Sequence, residues 1–218
     1  VLEQGKALPN AGAYKDYFRW VATGLEEPMT THADRFKYNT GYGMSAYDKG
    51  SIFLSQLQYV IGKENFDNTL KRYFDDWSFK HPKPNDFIRS AEKVSGLELD
   101  WYLLDWAQST MTIDYSVNSL YGVDNKTRIV LKRIGQMGMP IDLRIKLKSG
   151  ETLDYNIPMT KMRGSKPLQS STLLKSWSWA KPYYEVWLDV NSKNISKITI
   201  DPKNEMADVN RDNNYLVL

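Results

Sequence analysis

Two tyrosines stand in the most unusual short string of the sequence, Tyr42-Gly-Met-Ser-Ala-Tyr47-Asp-Lys49-Gly50. They precede a strongly amphipathic segment, which places Tyr47 in the first turn of a predicted helix. From such a position a neutral tyrosine hydroxyl can reach a cleft and donate a hydrogen bond to the oxyanion that develops when a carbonyl is attacked. Most tyrosines at helix starts are packing residues with a solvated tip. Residue type and position alone therefore favour a structural role.

Other catalytic patterns are missing from the sequence. Of the two histidines, His32 and His81, neither lies in an H-E-x-x-H string, in which two histidines bind zinc and the glutamate acts as general base. The chain has no cysteine, which excludes disulfides, cysteine-based zinc sites and cysteine nucleophiles. A G-x-S-x-G string is also absent. We therefore expect both histidines to be structural and no metal site to exist within these 218 residues.

The elements that must position the tyrosines are helical as far as about residue 112. Apolar residues recur there with a helical period, and Gly62 is a candidate C-cap between the first two helices. The Pro-rich string 81–84 cannot continue a helix, so Asn85 or Asp86 is expected to cap the next one, which ends at Gly96. The predicted helices cover about residues 45–61, 66–77, 86–95 and 101–106.

After residue 112 the period changes to two. Apolar residues from Ile141 to Leu147 alternate with charged ones, and Ser149-Gly150 predicts the turn of a hairpin. Several such short strands indicate a small antiparallel β-sandwich. The predicted fold class is therefore α+β, with a helical lobe at residues 1–112 and a β-sandwich domain at 113–218. Residues 164–182 are expected to form a long loop, and 208–218 a loose tail.

Charge separates the β half from the rest. The net charge of +3 is too small to argue for nucleic acid by itself. Residues 126–175, however, contain 11 Lys and Arg against 3 Asp and Glu. Such a surface could bind an acidic partner, although Lys and Arg also fill the solvent face of strands and block edge pairing. No apolar run in the sequence is long enough to span a bilayer.

The string Ala46-Tyr47-Asp-Lys49-Gly50 and the residues after it resemble the region that follows the zinc motif in aminopeptidase N-type (gluzincin) zinc metallopeptidases. In that family Y-x-K-G opens a helix, and L-x-x-x-[IL]-G and F-x-x-x-L-x-x-Y follow. Here these two strings run from Leu57 to Gly62 and from Phe66 to Tyr73. The resemblance extends over about residues 14–115, and the β part agrees in architecture. The further matching segments are Trp77 to Phe87, Ser95 to Trp101, and Trp106.

The resemblance implies a zinc-dependent aminopeptidase that hydrolyses N-terminal peptide bonds. Tyr47 matches the tyrosine that hydrogen-bonds the tetrahedral intermediate, and Tyr42 matches a second tyrosine near the substrate in some members. Lys49 and Gly50 belong to the motif and are expected to serve helix-start packing and to add a surface charge. The roles implied here thus fall on two residues, catalytic Tyr47 and substrate-binding Tyr42.

The family's H-E-x-x-H pair, its glutamate ligand and its G-x-M-E-N string are absent from this sequence. In the family they lie N-terminal to the tyrosine. We therefore expect a C-terminal fragment, inactive alone and without a cofactor of its own, whose upstream part in the same polypeptide binds zinc and the peptide substrate. The alternative is a non-catalytic interaction module that uses the basic surface of its β domain.

Overall fold

Helices form the first part of the chain in the computed structural model, which describes residues 10–218. A π-helical turn, Met44–Lys49, joins the second helix to the third, so the predicted helix 45–61 begins with a wider turn than an α-helix has. The helices are α1 Ala11–Ala22, α2 Asn39–Gly43, α3 Gly50–Ile61, α4 Lys63–Trp77, α5 Pro84–Ser95 and α6 Asp100–Ala107, with a short 3₁₀ turn at Ala33–Arg35.

The helix boundaries follow from local chemistry. Gly62 has a φ of 84° and separates α3 from α4, as its sequence position predicts. The predicted cap of α5 at Asn85 or Asp86 is wrong, because Lys83 is the N-cap and Pro84 occupies the first turn. The Asp86 carboxylate still serves the helix start, since it accepts a hydrogen bond from the Lys83 backbone N–H at 2.7 Å.

The apolar face of α4 is only partly buried. Phe66 lies in the core, as the helical period predicts, whereas Leu70 is 40% exposed and Phe74 is 68% exposed. The periodicity therefore identifies the helix correctly and overstates how much of its face the rest of the chain covers.

Two sheets form the second part of the chain. Strands β3 (Ile141–Leu147) and β4 (Thr152–Ile157) make the predicted hairpin, with Leu143 opposite Tyr155. The sandwich is not wholly antiparallel, because β5 (Thr172–Leu173) pairs with β4 in parallel at the edge of the larger sheet. The orders are β1-β2-β6 and β5-β4-β3-β7-β8. The strands are β1 Tyr115–Val123, β2 Lys126–Arg133, β3 Ile141–Leu147, β4 Thr152–Ile157, β5 Thr172–Leu173, β6 Tyr183–Leu188, β7 Ile195–Ile200 and β8 Tyr215–Val217.

The loop and tail predicted around these strands are more ordered than expected. Residues 164–182 contain β5 and the buried Trp177. The prediction of a loose tail is wrong, because β8 pairs with β7 and the buried Asp208 carboxylate accepts a hydrogen bond from the Tyr115 backbone N–H at 2.9 Å. Side chains of Asp208 and Asn213 in the tail bind Tyr115 and Asp114 at the start of β1, an arrangement that composition cannot distinguish from a solvated loop.

The helical and β parts are joined through α3. The Gln56 side chain is fully buried, and its Nε2 donates to the Glu205 carbonyl at 2.7 Å while its Oε1 accepts from the Ala207 N–H at 2.9 Å. The Tyr14 hydroxyl donates to the same Glu205 carbonyl at 2.5 Å. The loop that follows β7 is thereby bonded to α1 and α3, which fixes the two parts against each other.

Two buried carboxyls near this junction make stability depend on pH. Burial raises the pKa of Asp201 to about 6 and that of Asp208 to about 7, against roughly 3.9 in an unfolded chain. The folded chain therefore binds these protons more tightly, and their stabilisation is complete below the unfolded pKa and is lost as pH rises through the folded values. We expect the free energy of unfolding, measured in urea at constant ionic strength, to fall from pH 5 to pH 8.

The Asp208→Asn variant is the control for this titration. Its absolute stability is expected to fall, since an amide cannot accept both backbone N–H bonds that the carboxylate accepts from Tyr115 and Asn210. Its dependence on pH between 6 and 8 is expected to be shallower than that of the parent chain. A free energy of unfolding that is constant or rises over this range in the parent would contradict the assignment.

Candidate functional site

The Tyr47 side chain projects into solvent from the π-helical turn. It is 74% exposed, whereas Ser45 and Lys49 in the same turn are buried. Turns of this kind interrupt a regular helix and occur frequently at functional sites. The geometry gives Tyr47 a fixed backbone and an accessible hydroxyl, which is what an oxyanion donor requires.

Tyr42 lies in α2, the short helix that leads into the π-helical turn. It is 40% exposed, and its ring meets the ring of Phe36 edge-on with 5.7 Å between centroids. The neighbouring Gly41 is buried, and a Cβ added there would approach the Trp20 ring to 3.2 Å. The backbone of α2 is thus packed closely on its inner side while Tyr42 remains accessible on the surface.

Lys49 is not a surface charge, contrary to the expectation from sequence. Its side chain is 2% exposed, and its Nζ lies 2.5 Å from Oε1 of Glu26, which is also buried. The same ammonium donates to the Ser109 carbonyl at 3.1 Å. The sequence does contain a signal for this burial, because Lys49 stands four positions before the buried Phe53, on the apolar side of the helix.

The histidines do not form a metal site. His32 is exposed, and its Nδ1 accepts a hydrogen bond from the backbone N–H of Asp34 at 3.3 Å. Within residues 10–218 no three His, Cys, Asp or Glu side chains are grouped so that they could hold a metal ion. The residues described here therefore do not fit a catalytic zinc site.

A cavity of about 750 Å³ lies where the helical part meets the β part. Neither tyrosine of the candidate site lines it. Two ion pairs lie on its wall, Lys166 with Asp142 at 2.6 Å and Arg144 with Asp154 through two hydrogen bonds. Sequence reasoning missed this cavity, because its lining comes from segments that carry no shared motif.

The comparisons with known proteins bear on the part of the chain that carries the tyrosines. Residues 15–106 match the model of the peptidase family M1 domain, and Tyr42 and Tyr47 fall inside this stretch. Residues 15–106 are thus similar to the peptidase family M1 domain. The resemblance drawn from the Y-x-K-G string is thereby confirmed.

Two curated relatives illustrate the similarity. Aminopeptidase N of Escherichia coli (strain K12) is 25% identical over 71 residues, which is 33% of this chain, and glutamyl aminopeptidase of Rattus norvegicus is 31% identical over 83 residues, which is 38% of it. The matched stretch spans only 8% of the length of each relative. The match is therefore too short to assign the activity of these complete proteins to this chain, and that activity enters below as a proposal.

Among solved structures, Legionella pneumophila aminopeptidase A in complex with aspartic acid aligns with 74% of this chain and 17% of its own, at 16% identity and a TM-score of 0.49. Within residues 10–218, no helix has the length and apolarity needed to cross a membrane.

Proposed function

We propose that this chain is the part of a zinc-dependent M1 aminopeptidase that follows the zinc-binding residues, and that Tyr47 is its oxyanion donor. The observation that carries the proposal is the exposed Tyr47 on an internally anchored π-helical turn, inside the stretch that matches the M1 family. Residues 1–112 would form the helical part of the catalytic domain, and residues 113–218 the β-sandwich domain after it.

The chemical contribution of this chain is a neutral hydroxyl. When a water attacks the carbonyl of an N-terminal peptide bond, negative charge develops on the carbonyl oxygen, and a preorganised donor stabilises it. Tyr47 would donate that hydrogen bond, and Tyr42 would contact the peptide substrate beside it. The activity would be hydrolysis of N-terminal peptide bonds.

The zinc would be held by residues upstream in the same polypeptide, since those described here do not fit it. A catalytic zinc of this kind lowers the pKa of its bound water. We therefore expect the 218-residue chain alone to hydrolyse nothing.

The proposal is tested by comparing the 218-residue chain with the polypeptide translated from the whole reading frame that contains it. Both are assayed on a set of amino-acid anilides, with and without a zinc chelator. We expect activity only in the longer polypeptide, and its loss on chelation and return with zinc. Activity of the 218-residue chain alone, or a longer frame without an H-E-x-x-H string, would refute the proposal.

The basic β surface offers less support for the alternative of an interaction module. Of its eleven basic residues, five are in ion pairs, and the set is divided between the two sheets and their loops. Five of these charges lie beside an acidic partner, and basic residues that are spread over two sheets and their loops attract a polyanion less than the same charges gathered in one patch would. The peptidase proposal is therefore the one that we retain.

A further inference from the structure

The π-helical turn that carries Tyr47 is bonded on its buried side to two successive glutamates, Glu26 and Glu27. At its C-terminal end, the Lys49 ammonium lies 2.5 Å from the Glu26 carboxylate, and the two side chains are only 2% and 5% exposed. The ammonium also donates to the Ser109 carbonyl at 3.1 Å, just beyond α6. One buried cation therefore joins the turn to the segment after α1 and to the segment after α6.

The other end of the turn is bonded to the adjacent glutamate. Ser45 is buried, and its hydroxyl donates to the Glu27 carbonyl at 3.4 Å. Ser45 and Lys49 are four positions apart and lie on the same, inner side of the turn, while Tyr47 stands midway between them. Two positions along a helix bring a side chain to the opposite side. The inward bonds of Ser45 and Lys49 thus set the outward direction of Tyr47.

A π-helical turn needs such anchoring, because an α-helix is the ordinary conformation for these residue types. Relaxing to an α-helix would shift the hydrogen-bond register by one residue and rotate the earlier part of the turn against the later part. Ser45 and Lys49 could not then both keep their inner partners. A buried ion pair is weak evidence for stability, and its best-attested use is to specify one arrangement among several.

We infer that the Glu26–Lys49 ion pair is a positioning device for Tyr47, which holds the π-helical turn and so aims the tyrosine hydroxyl. This inference rests on the proposed function. Lys49 and Glu26 would not touch the substrate, and their effect on turnover would pass entirely through Tyr47.

The test uses the intact polypeptide, including its upstream part, and the double variant Glu26→Gln/Lys49→Met. This variant removes both charges together and so leaves no orphan charge in the core. A misplacement of about 1 Å can cost on the order of 100-fold in rate, so we expect kcat to fall by roughly 10- to 100-fold with KM little changed. A triple variant that also carries Tyr47→Phe should have the same kcat as Tyr47→Phe alone, because the effects of residues that act as a unit are not additive.

The matched control is Asp142→Asn/Lys166→Met, which neutralises another largely buried ion pair, one that lies away from the π-helical turn. It should leave kcat unchanged. Ser45→Ala is a second probe, which removes only one hydroxyl and should also be non-additive with Tyr47→Phe. The folded state of each variant is checked by near-ultraviolet circular dichroism.

The outcomes separate the two proposals. If Tyr47→Phe lowers kcat while Glu26→Gln/Lys49→Met keeps the parental value, or if their losses multiply, the positioning inference is overturned and the proposed function survives. If Tyr47→Phe itself leaves kcat unchanged, the oxyanion role falls and the positioning inference falls with it.

Discussion

In the proposed intact peptidase, replacing Tyr47 by phenylalanine is expected to lower kcat by about 100- to 1,000-fold, the range typical for loss of one oxyanion donor. The substitution removes a single oxygen from a side chain that is 74% exposed, so the fold should be unaffected. The measurement is steady-state hydrolysis of an amino-acid anilide over a range of substrate concentrations. KM should change far less than kcat, because the hydrogen bond strengthens only as charge develops on the oxygen.

The chain offers a matched control for this experiment in Tyr38, another exposed tyrosine nearby. Tyr38→Phe removes the same atom from the same residue type, and it should leave both kcat and KM at their parental values. Tyr42→Phe is expected to raise KM rather than lower kcat, in line with its proposed contact with the substrate. A Tyr47→Phe enzyme that retains full turnover would remove this residue from the chemistry.

Replacing Lys49 by methionine is expected to destabilise the chain by about 3–5 kcal/mol, the usual result of breaking a buried ion pair on one side. The substitution leaves the Glu26 carboxylate buried, with its cation gone. The measurement is the free energy of unfolding from a urea titration of the 218-residue chain. The expected loss of stability comes from the unpaired Glu26 carboxylate left in the core. It does not measure the net contribution of the ion pair to stability.

Two comparisons distinguish this explanation from a general loss of packing. Glu26→Gln in addition to Lys49→Met should restore most of the lost stability, because the orphan charge is then removed. Lys63→Met breaks an exposed pair with Asp67 in α4 and should change the free energy of unfolding little, since exposed pairs contribute little. A single Lys49→Met variant as stable as its parent would contradict this explanation.

Sequence reasoning predicted the parts of this molecule that depend on neighbours along the chain. The Y-x-K-G string identified Tyr47 as a candidate site residue. Gly62 predicted the boundary between two helices, and alternating apolar residues predicted the β3–β4 hairpin. The burial of Lys49 could also have been read from its place four positions before Phe53. What the sequence did not reveal was its partner, because Glu26 lies in a segment without helical or strand periodicity.

The remaining differences have the same cause. Asp208 and β8 lie in a tail that is rich in Asn and Asp, yet Asp208 bonds to β1 and β8 pairs with β7, and composition does not record such pairings. The π-helical turn likewise contacts residues distant in sequence on its inner side, and the pattern of its own residues does not predict those contacts.

The bonds of Gln56 also bear on how the chain can be divided. A cut near residue 112 follows the change of sequence character, yet it would remove both backbone partners of the Gln56 amide, the Glu205 carbonyl and the Ala207 N–H. That amide lies in α3, the helix continuous with the π-helical turn. We therefore expect a helical half that is cleaved off at the boundary visible in the sequence to be destabilised next to the candidate site, because the buried Gln56 amide loses both of these partners.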